Sequence, residues 1–467
     1  MRTMRCGTAL ALAMTMSSGL SASAESLTDT LIDAYRNSPV LEVNRASLRS
    51  FDEAIEVERA AKRPQVTATG DATVFATTDS PTGDDFSENF SASVTGSLLL
   101  YDGGATRAGV QGAAADIDES RYLLANSEQD VMLDSITAYV DVRRDEQFVR
   151  LAQNNVDVIT QQLQAAQDRF EVGEVTRTDV SQAEAALAAA RSNVAINRGA
   201  LEASRQAFRL VVGRLPGALE APPGLPRLPA TASEAQAISM QEHPTLAAAR
   251  SAILAAEFAV EEARAGKRAN VSANATLSYD VNSPFDTRLV SLDEDQLSLS
   301  AGVVGTIPLS TGGQLDALIR QSMAVLEVEQ ATLQSAARGI QQAVGLAFSQ
   351  LEVARASIRA SRQQVRSARV AFEGVQEEAK LGARTTLDVL DAEQAVLDAE
   401  SNLAAALRDE YVAAYNLVAA MGLLSVKFLG LGIEEYDPDI NFRAVTNEPV
   451  ATSPEASVLD RISDRWN

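Results

Sequence analysis

The chain has 467 residues, enough for two or three ordinary domains or one elongated one. Its formal net charge of -23 argues against nucleic acid or anionic lipid as a charge-matched partner. Aromatic residues make up only 5% and much of the apolar share is Ala, a composition suited to narrow helix–helix seams and poorly suited to a thick globular core.

Residues 1–24 read as a secretory signal peptide. Arg2 and Arg5 precede an apolar run from Ala9 to Met16, and Ala22-Ser23-Ala24 forms a cleavage site before Glu25. The only cysteine, Cys6, lies inside this leader, so an exported mature chain uses no disulfide. No later stretch holds ~18 consecutive apolar residues, which excludes a membrane-spanning helix.

The remainder is a duplication. The spacing between Gly103 and Gly312 recurs between Gly173 and Gly382 and between Gly213 and Gly422, and Pro39 and Pro244 stand at nearly the same offset. A unit of about 200 residues is a doubled domain, since solenoid repeats run to only 20–50 residues. The first structural repeat is placed at 25–232 and the second at 233–424. Residues 425–467 form a C-terminal tail. Each repeat opens with a helix that has Pro39 or Pro244 at its first position. Strands follow at about 65–77 and 87–101, and again at about 270–281 and 295–309. Long helices are expected at about 105–170 and 314–379, and shorter ones at about 179–212 and 386–421.

The strands have two chemically different faces. Phe90, Ala92, Val94, Gly96 and Leu98 alternate with Ser91, Ser93, Thr95 and Ser97; Leu299, Ala301 and Val303 alternate with Ser298 and Ser300. That alternation is the pattern of a transmembrane β-barrel with a wet lumen. Four strands cannot close a barrel, and open edges cannot persist in lipid, so the chain must oligomerise; two, three or four copies would give 8, 12 or 16 strands. The helices step by three and four, as in Val156, Ile159, Leu163, Ala166 and Phe170 and their copies Val365, Ala368, Phe372, Val375 and Ala379. This heptad spacing implies coiled coils. Each long helix would extend about 100 Å at ~1.5 Å per residue.

The turns that follow the long helices carry the densest polar chemistry. The second, "LGARTTLDVLDAEQAVLDAE", runs from Leu381 to Glu400, and the first includes "VGEVTRTDVSQAEAALAAAR" from Val172. Asp388 and Asp391 lie on one face of the helix that begins there. Helix capping accounts for Asp388 and its copy Asp179. It does not account for Asp391 or Arg384, whose copies are Gln182 and Val175.

These two turns, together with "YDGGA" at the strand-to-helix junction, resemble the TolC-type outer-membrane efflux proteins over nearly the whole mature chain. The resemblance implies an α+β fold and a homotrimer in the cell outer membrane, extending into the periplasm. Twelve strands would form one β-barrel, continued by a long antiparallel coiled-coil tunnel. It implies the exit duct of a tripartite efflux pump or type I secretion system. The partners would be a periplasmic adaptor (membrane fusion) protein and an inner-membrane pump or ABC transporter. By the family's pattern, Gly173 and Gly382 are the turns at the tunnel tip. Asp388 and Asp391 would repeat as a ring of six carboxylates that constricts and selects. Arg384, Thr178 and Asp179 would belong to the polar links that hold neighbouring coiled coils shut. The family pattern has a Tyr three residues before the second Gly where this chain has Ala379, so one closing link is missing.

Two rival functions bear comparison. Catalysis lacks its usual materials: the single His, His243, sits before Pro244 as a surface or cap residue, and no phosphate-cradling loop, metal-ligand cluster or cofactor motif is present. A coiled-coil structural or adhesion protein without a channel leaves the strand alternation unexplained.

Overall fold

In the computed structural model, residues 25–77, 85–284 and 295–447 are described. Residues 1–24, where the sequence pattern places a signal peptide, and residues 448–467 lie outside them.

Two short helices open the described chain, α1 (Leu27–Asn37) and α2 (Pro39–Ala60). Pro39 ends the first because it supplies no N–H, and it starts the second at N1 with Ser38 as N-cap. A hairpin of β1 (Gln65–Thr77) and β2 (Asp85–Tyr101) leads into α3 (Ala105–Glu171), and a tight turn leads to α4 (Arg177–Val212). The order then recurs as α5 (Ala232–Glu242), α6 (Pro244–Ala265), β3 (Asn270–Pro284), β4 (Asp295–Thr306), α7 (Gln314–Lys380) and α8 (Thr386–Ala420). Two helices follow, α9 (Val426–Leu429) and α10 (Asp439–Asn447). The sequence pattern had carried the last strand to 309. It stops at Thr306 because Pro308, two residues on, has no N–H for the ladder. The helices α1 and α5 had no counterpart in the sequence reading, being only 11 residues each.

The compact units do not coincide with the sequence repeats. One comprises residues 25–37, 134–225 and 357–412, and the other 38–133, 226–356 and 413–447. Each unit draws on both repeats, because the long helices α3 and α7 contribute to both.

In the first unit α1 packs on α4. Leu27, Leu31, Ala34 and Tyr35 are buried on one side, Phe208 and Val212 on the other. The stretch before α1 is tied down through Glu25, whose backbone pairs with the stretch around Leu219. Its carboxylate accepts two bonds from Arg214, at 2.8 and 2.9 Å, one from Gly217 N–H at 3.0 Å and one from Thr30 at 2.9 Å. Burial raises the Glu25 pKa, but these donors outweigh it and hold the carboxyl below its ordinary range.

The second unit holds the sheet, a four-stranded antiparallel meander in the order β1-β2-β3-β4. Its register builds uniform rungs. Thr69, Ser93, Ser278 and Ser298 stand side by side across all four strands, with hydroxyls bonded at 2.7 Å in both outer pairs. The next rung is Ala68, Val94, Leu277 and Leu299. The alternation seen along each strand is therefore a property of whole faces, one hydroxyl-lined and one apolar. At the junction after β2, buried Asp102 accepts bonds from the Gly104 and Thr106 amides at 3.0 and 2.7 Å. Burial works against its ionisation, yet these bonds, with Lys62 at 3.6 Å, pull its pKa down to about 2.

His243 is half-buried and caps α6, its Nδ1 accepting the Thr245 amide at 3.2 Å, so of the two readings the cap is the one that holds. Gly422 closes against it with φ of +79°, and a Cβ there would lie 2.5 Å from the His243 Cα. Gly422→Ala should therefore cost more than the ~1–3 kcal/mol of left-handed strain alone, read from denaturant melts. On the sheet, Val94→Arg or Val303→Arg should cost ~2–4 kcal/mol near a bilayer midplane. The heat-modifiable outer-membrane form should be lost for these but largely kept for Ser93→Arg, and equal loss on both faces would refute the two-faced reading.

Candidate functional site: the paired helix turns

The two turns after the long helices are built alike. After α3, the Gly173 N–H donates to Phe170 O at 3.0 Å and the Glu174 N–H to Arg169 O at 2.9 Å. After α7, Gly382 donates to Ala379 O at 3.1 Å and Ala383 to Glu378 O at 2.9 Å. Both are Schellman closures, which need a left-handed residue; Gly173 and Gly382 supply φ of +81° and +78°. No atom lies within 4 Å of a Cβ built on either, so these glycines answer to backbone conformation and not to crowding.

Each following helix starts in a reciprocal capping box. Thr176 and Asp179 exchange bonds at the head of α4: the Thr176 N–H and Oγ1 donate to Asp179 Oδ2 at 2.8 and 2.7 Å, and the Asp179 N–H returns one to Oγ1. Thr385 and Asp388 do the same at the head of α8, at 2.9, 2.9 and 3.2 Å. These bonds lower both aspartate pKa values, for Asp179 chiefly through the Thr176 hydroxyl and for Asp388 chiefly through the Thr385 amide. Asp388 and Asp179 are thus occupied as caps.

Asp391 is not. It is exposed on the next turn of α8 and lines a cavity of about 300 Å³ with Gln182, Asn155 and Gln394. Its floor is apolar, with Ile159, Ala190 and Leu390, which pack with Leu187 as one cluster. Asp391 and Gln182, equivalent positions of the two repeats, therefore share one cleft. Arg384 pairs with Glu378 of its own hairpin, Nε to Oε2 at 2.8 Å, and Glu378 raises its pKa. Thr178 is exposed on the first turn of α4. Among the described residues no hydrogen bond or ion pair joins Arg384 to Thr178 or Asp179 within the chain.

One contact had no place in the sequence reading. Arg169 Nη1 donates to Ala379 O at 3.3 Å, joining the last turns of α3 and α7. The position that lacks a Tyr side chain is thus bound through its backbone. The available signal was a charge reversal, since Arg169 has Glu378 as its copy. Among the described residues no group of three or more His, Cys, Asp or Glu side chains is placed to hold a metal ion.

The paired turns, the doubled helix–strand–strand–helix order and the two-faced sheet have a counterpart among known proteins. The family model described as "Outer membrane efflux protein" matches residues 31–214 and 238–423. The chain belongs to the outer membrane efflux protein family. It is similar to the outer membrane efflux protein BepC of Brucella suis, with 33% identity over 94% of each chain. It is also similar to the outer membrane protein TolC of Vibrio cholerae, with 26% identity over 86% of this chain and 92% of that one. Among solved structures, the outer membrane channel CmeC of Campylobacter jejuni has the same fold, with a TM-score of 0.72 at 14% identity over 91% and 89% of the two chains. The TolC-type resemblance, the barrel-and-coiled-coil fold class and an outer-membrane location stand on this ground. A family of transport proteins also leaves no opening for the adhesion reading.

The caps yield a test. Thr385→Ala should cost ~0.5–2 kcal/mol of helix stability, seen as fraying of the first turn of α8 by hydrogen exchange. Because the Asp388 pKa is depressed, the stability that its carboxylate contributes is present above an unfolded value of ~3.9 and is lost as pH falls through the folded one. Exchange at the head of α8 should therefore accelerate in acid, and the acceleration should vanish in Asp388→Asn.

Proposed function

We propose that three copies of this chain form a passive, gated outer-membrane duct through which an efflux pump or a type I secretion transporter discharges its cargo. The observation that carries the reading is the sheet with two open edges, β1 and β4, and two chemically opposed faces. In hydrocarbon, unpaired edge amides and carbonyls each cost several kcal/mol. Pairing β4 of one copy with β1 of the next removes every edge, and three copies give twelve strands with hydroxyls inside and apolar side chains toward lipid.

Each chain brings the turns at Gly173 and Gly382, so a trimer carries six. Asp388 and Asp391, on the second turn of each copy, form a six-carboxylate constriction that favours cations. Asp388 serves both as cap and as ring member. Arg384, Thr178 and Asp179 exchange partners across neighbouring coiled coils in the closed state, with Arg384 leaving Glu378 to do so. The two repeats of each chain supply alternate members of the tunnel wall. A periplasmic adaptor and an inner-membrane pump supply opening and energy; the duct itself performs no catalysis.

The test is single-channel conductance and reversal potential in a salt gradient across a planar bilayer. Ions should pass without nucleotide. Asp388→Ala with Asp391→Ala should weaken cation preference and block by multivalent cations, because their fields add where the pore is narrow. Arg384→Ala should raise the open fraction. Unchanged selectivity and block in the double variant would leave Asp388 as a cap only.

A further inference from the structure

The C-terminal stretch leading into α10 covers a seat made by α2 and the first part of α3. Leu48, Ile55, Ile117 and Leu124 form its buried floor, and Tyr436 and Phe442 pack over them. Four contacts made by charged or polar side chains fasten the cover. Arg121 of α3 meets Asp439 at 2.7 Å and lies 5.2 Å from the Phe442 ring centre. Arg45 of α2 lies over the Tyr436 ring at 5.1 Å. The Asn441 side-chain amide donates to Asp52 Oδ2 at 2.7 Å.

Asp52 is the unusual member. It projects from α2 and is fully buried, at 0% exposure, although a carboxylate is among the groups least tolerant of burial. Its Oδ1 has no hydrogen-bond partner among the described residues, and neither has the Nε of Arg121. The charged groups acting on it are Arg121 of α3 and Asp439 of α10, of opposite sign. Arg121 is itself shared with Asp118 and Asp439. Asn441 is a single neutral donor. One buried carboxylate thus sits under a short helix with one of its two oxygens lacking a donor among the described residues.

We propose that α10 is an acid-tightened strap, with Asp52 taking up a proton as the strap closes over the α2–α3 seat and releasing it as the strap lifts. The lifted strap returns Asp52 to water and uncovers the apolar floor. Burial raises the Asp52 pKa in the closed form, with Asn441 and Arg121 pulling the other way and Asp439 adding to the rise. The sign follows from linkage. The closed form binds the proton more tightly, so closure is firmest below the open-form value of ~3.9 and weakens as pH rises toward the closed-form value, beyond which it is level. Within that window the ratio of lifted to closed strap rises up to ~10-fold per pH unit, since one pKa unit corresponds to a tenfold ratio.

Hydrogen exchange of the α10 amides in the full-length protein, from pH 4 to pH 8 with intrinsic rates corrected, reads this directly. Protection should fall with rising pH by up to ~10-fold per unit inside the window, and Asp52→Asn should hold it level. Asn441→Ala, a change in the cover and not in the seat, should lose more protection at pH 8 than at pH 4, because it removes a donor to the ionised form. Protection that is level with pH in the unaltered protein would overturn the proposal. So would an unchanged slope in Asp52→Asn, or an equal loss at both pH values in Asn441→Ala.

Discussion

A backbone amide or carbonyl in hydrocarbon has no water to turn to, and a four-stranded meander leaves two rows of them unpaired. Much else in this chain follows from that constraint. The strands alternate small hydroxyls with apolar side chains because one face must meet lipid and the other water. The register then stacks like with like, placing Thr69, Ser93, Ser278 and Ser298 in one rung and Ala68, Val94, Leu277 and Leu299 in the next. The four strands among the described residues leave β1 and β4 as open edges, which is the ground for proposing that copies associate.

The same concern for backbone partners shapes the helix turns. An ending helix leaves carbonyls without donors and a starting one leaves amides without acceptors. Gly173 and Gly382 resolve the first problem, and the Thr176–Asp179 and Thr385–Asp388 boxes resolve the second. Both repeats use one solution, which frees the remaining positions to diverge. Val175 faces Arg384 across the duplication, Gln182 faces Asp391, and Arg169 faces Glu378. Shared positions carry the architecture, and at the unequal ones the two turns differ in charge.

Strands and long helices were legible in one dimension because their signals are local. A period of two marks a half-exposed strand, a three-four step marks a coiled-coil helix, and Gly or Pro marks the breaks. The family likeness rested on the same punctuation. The tail was not legible. Its segment to Asn447 has no long periodic pattern, yet Tyr436 and Phe442 are fixed on the α2–α3 core by contacts distant in the chain. Nor did the pattern reveal α1 and α5 or expose the Arg169 contact to Ala379, which depends on two helix ends meeting.

From residue order alone came the duplication, the two-faced strands, the paired glycine turns and the presence of two acidic side chains at the head of α8. Each is set by spacing between near neighbours, or by a motif repeated whole. Folding in three dimensions decided how those side chains are used. It committed Asp388 to a cap, left Asp391 exposed beside Gln182, turned Arg384 toward Glu378 and sealed Asp52 beneath α10. Burial and partner choice depend on which distant segments come together, and that information is spread over the whole chain and held by no single stretch of it.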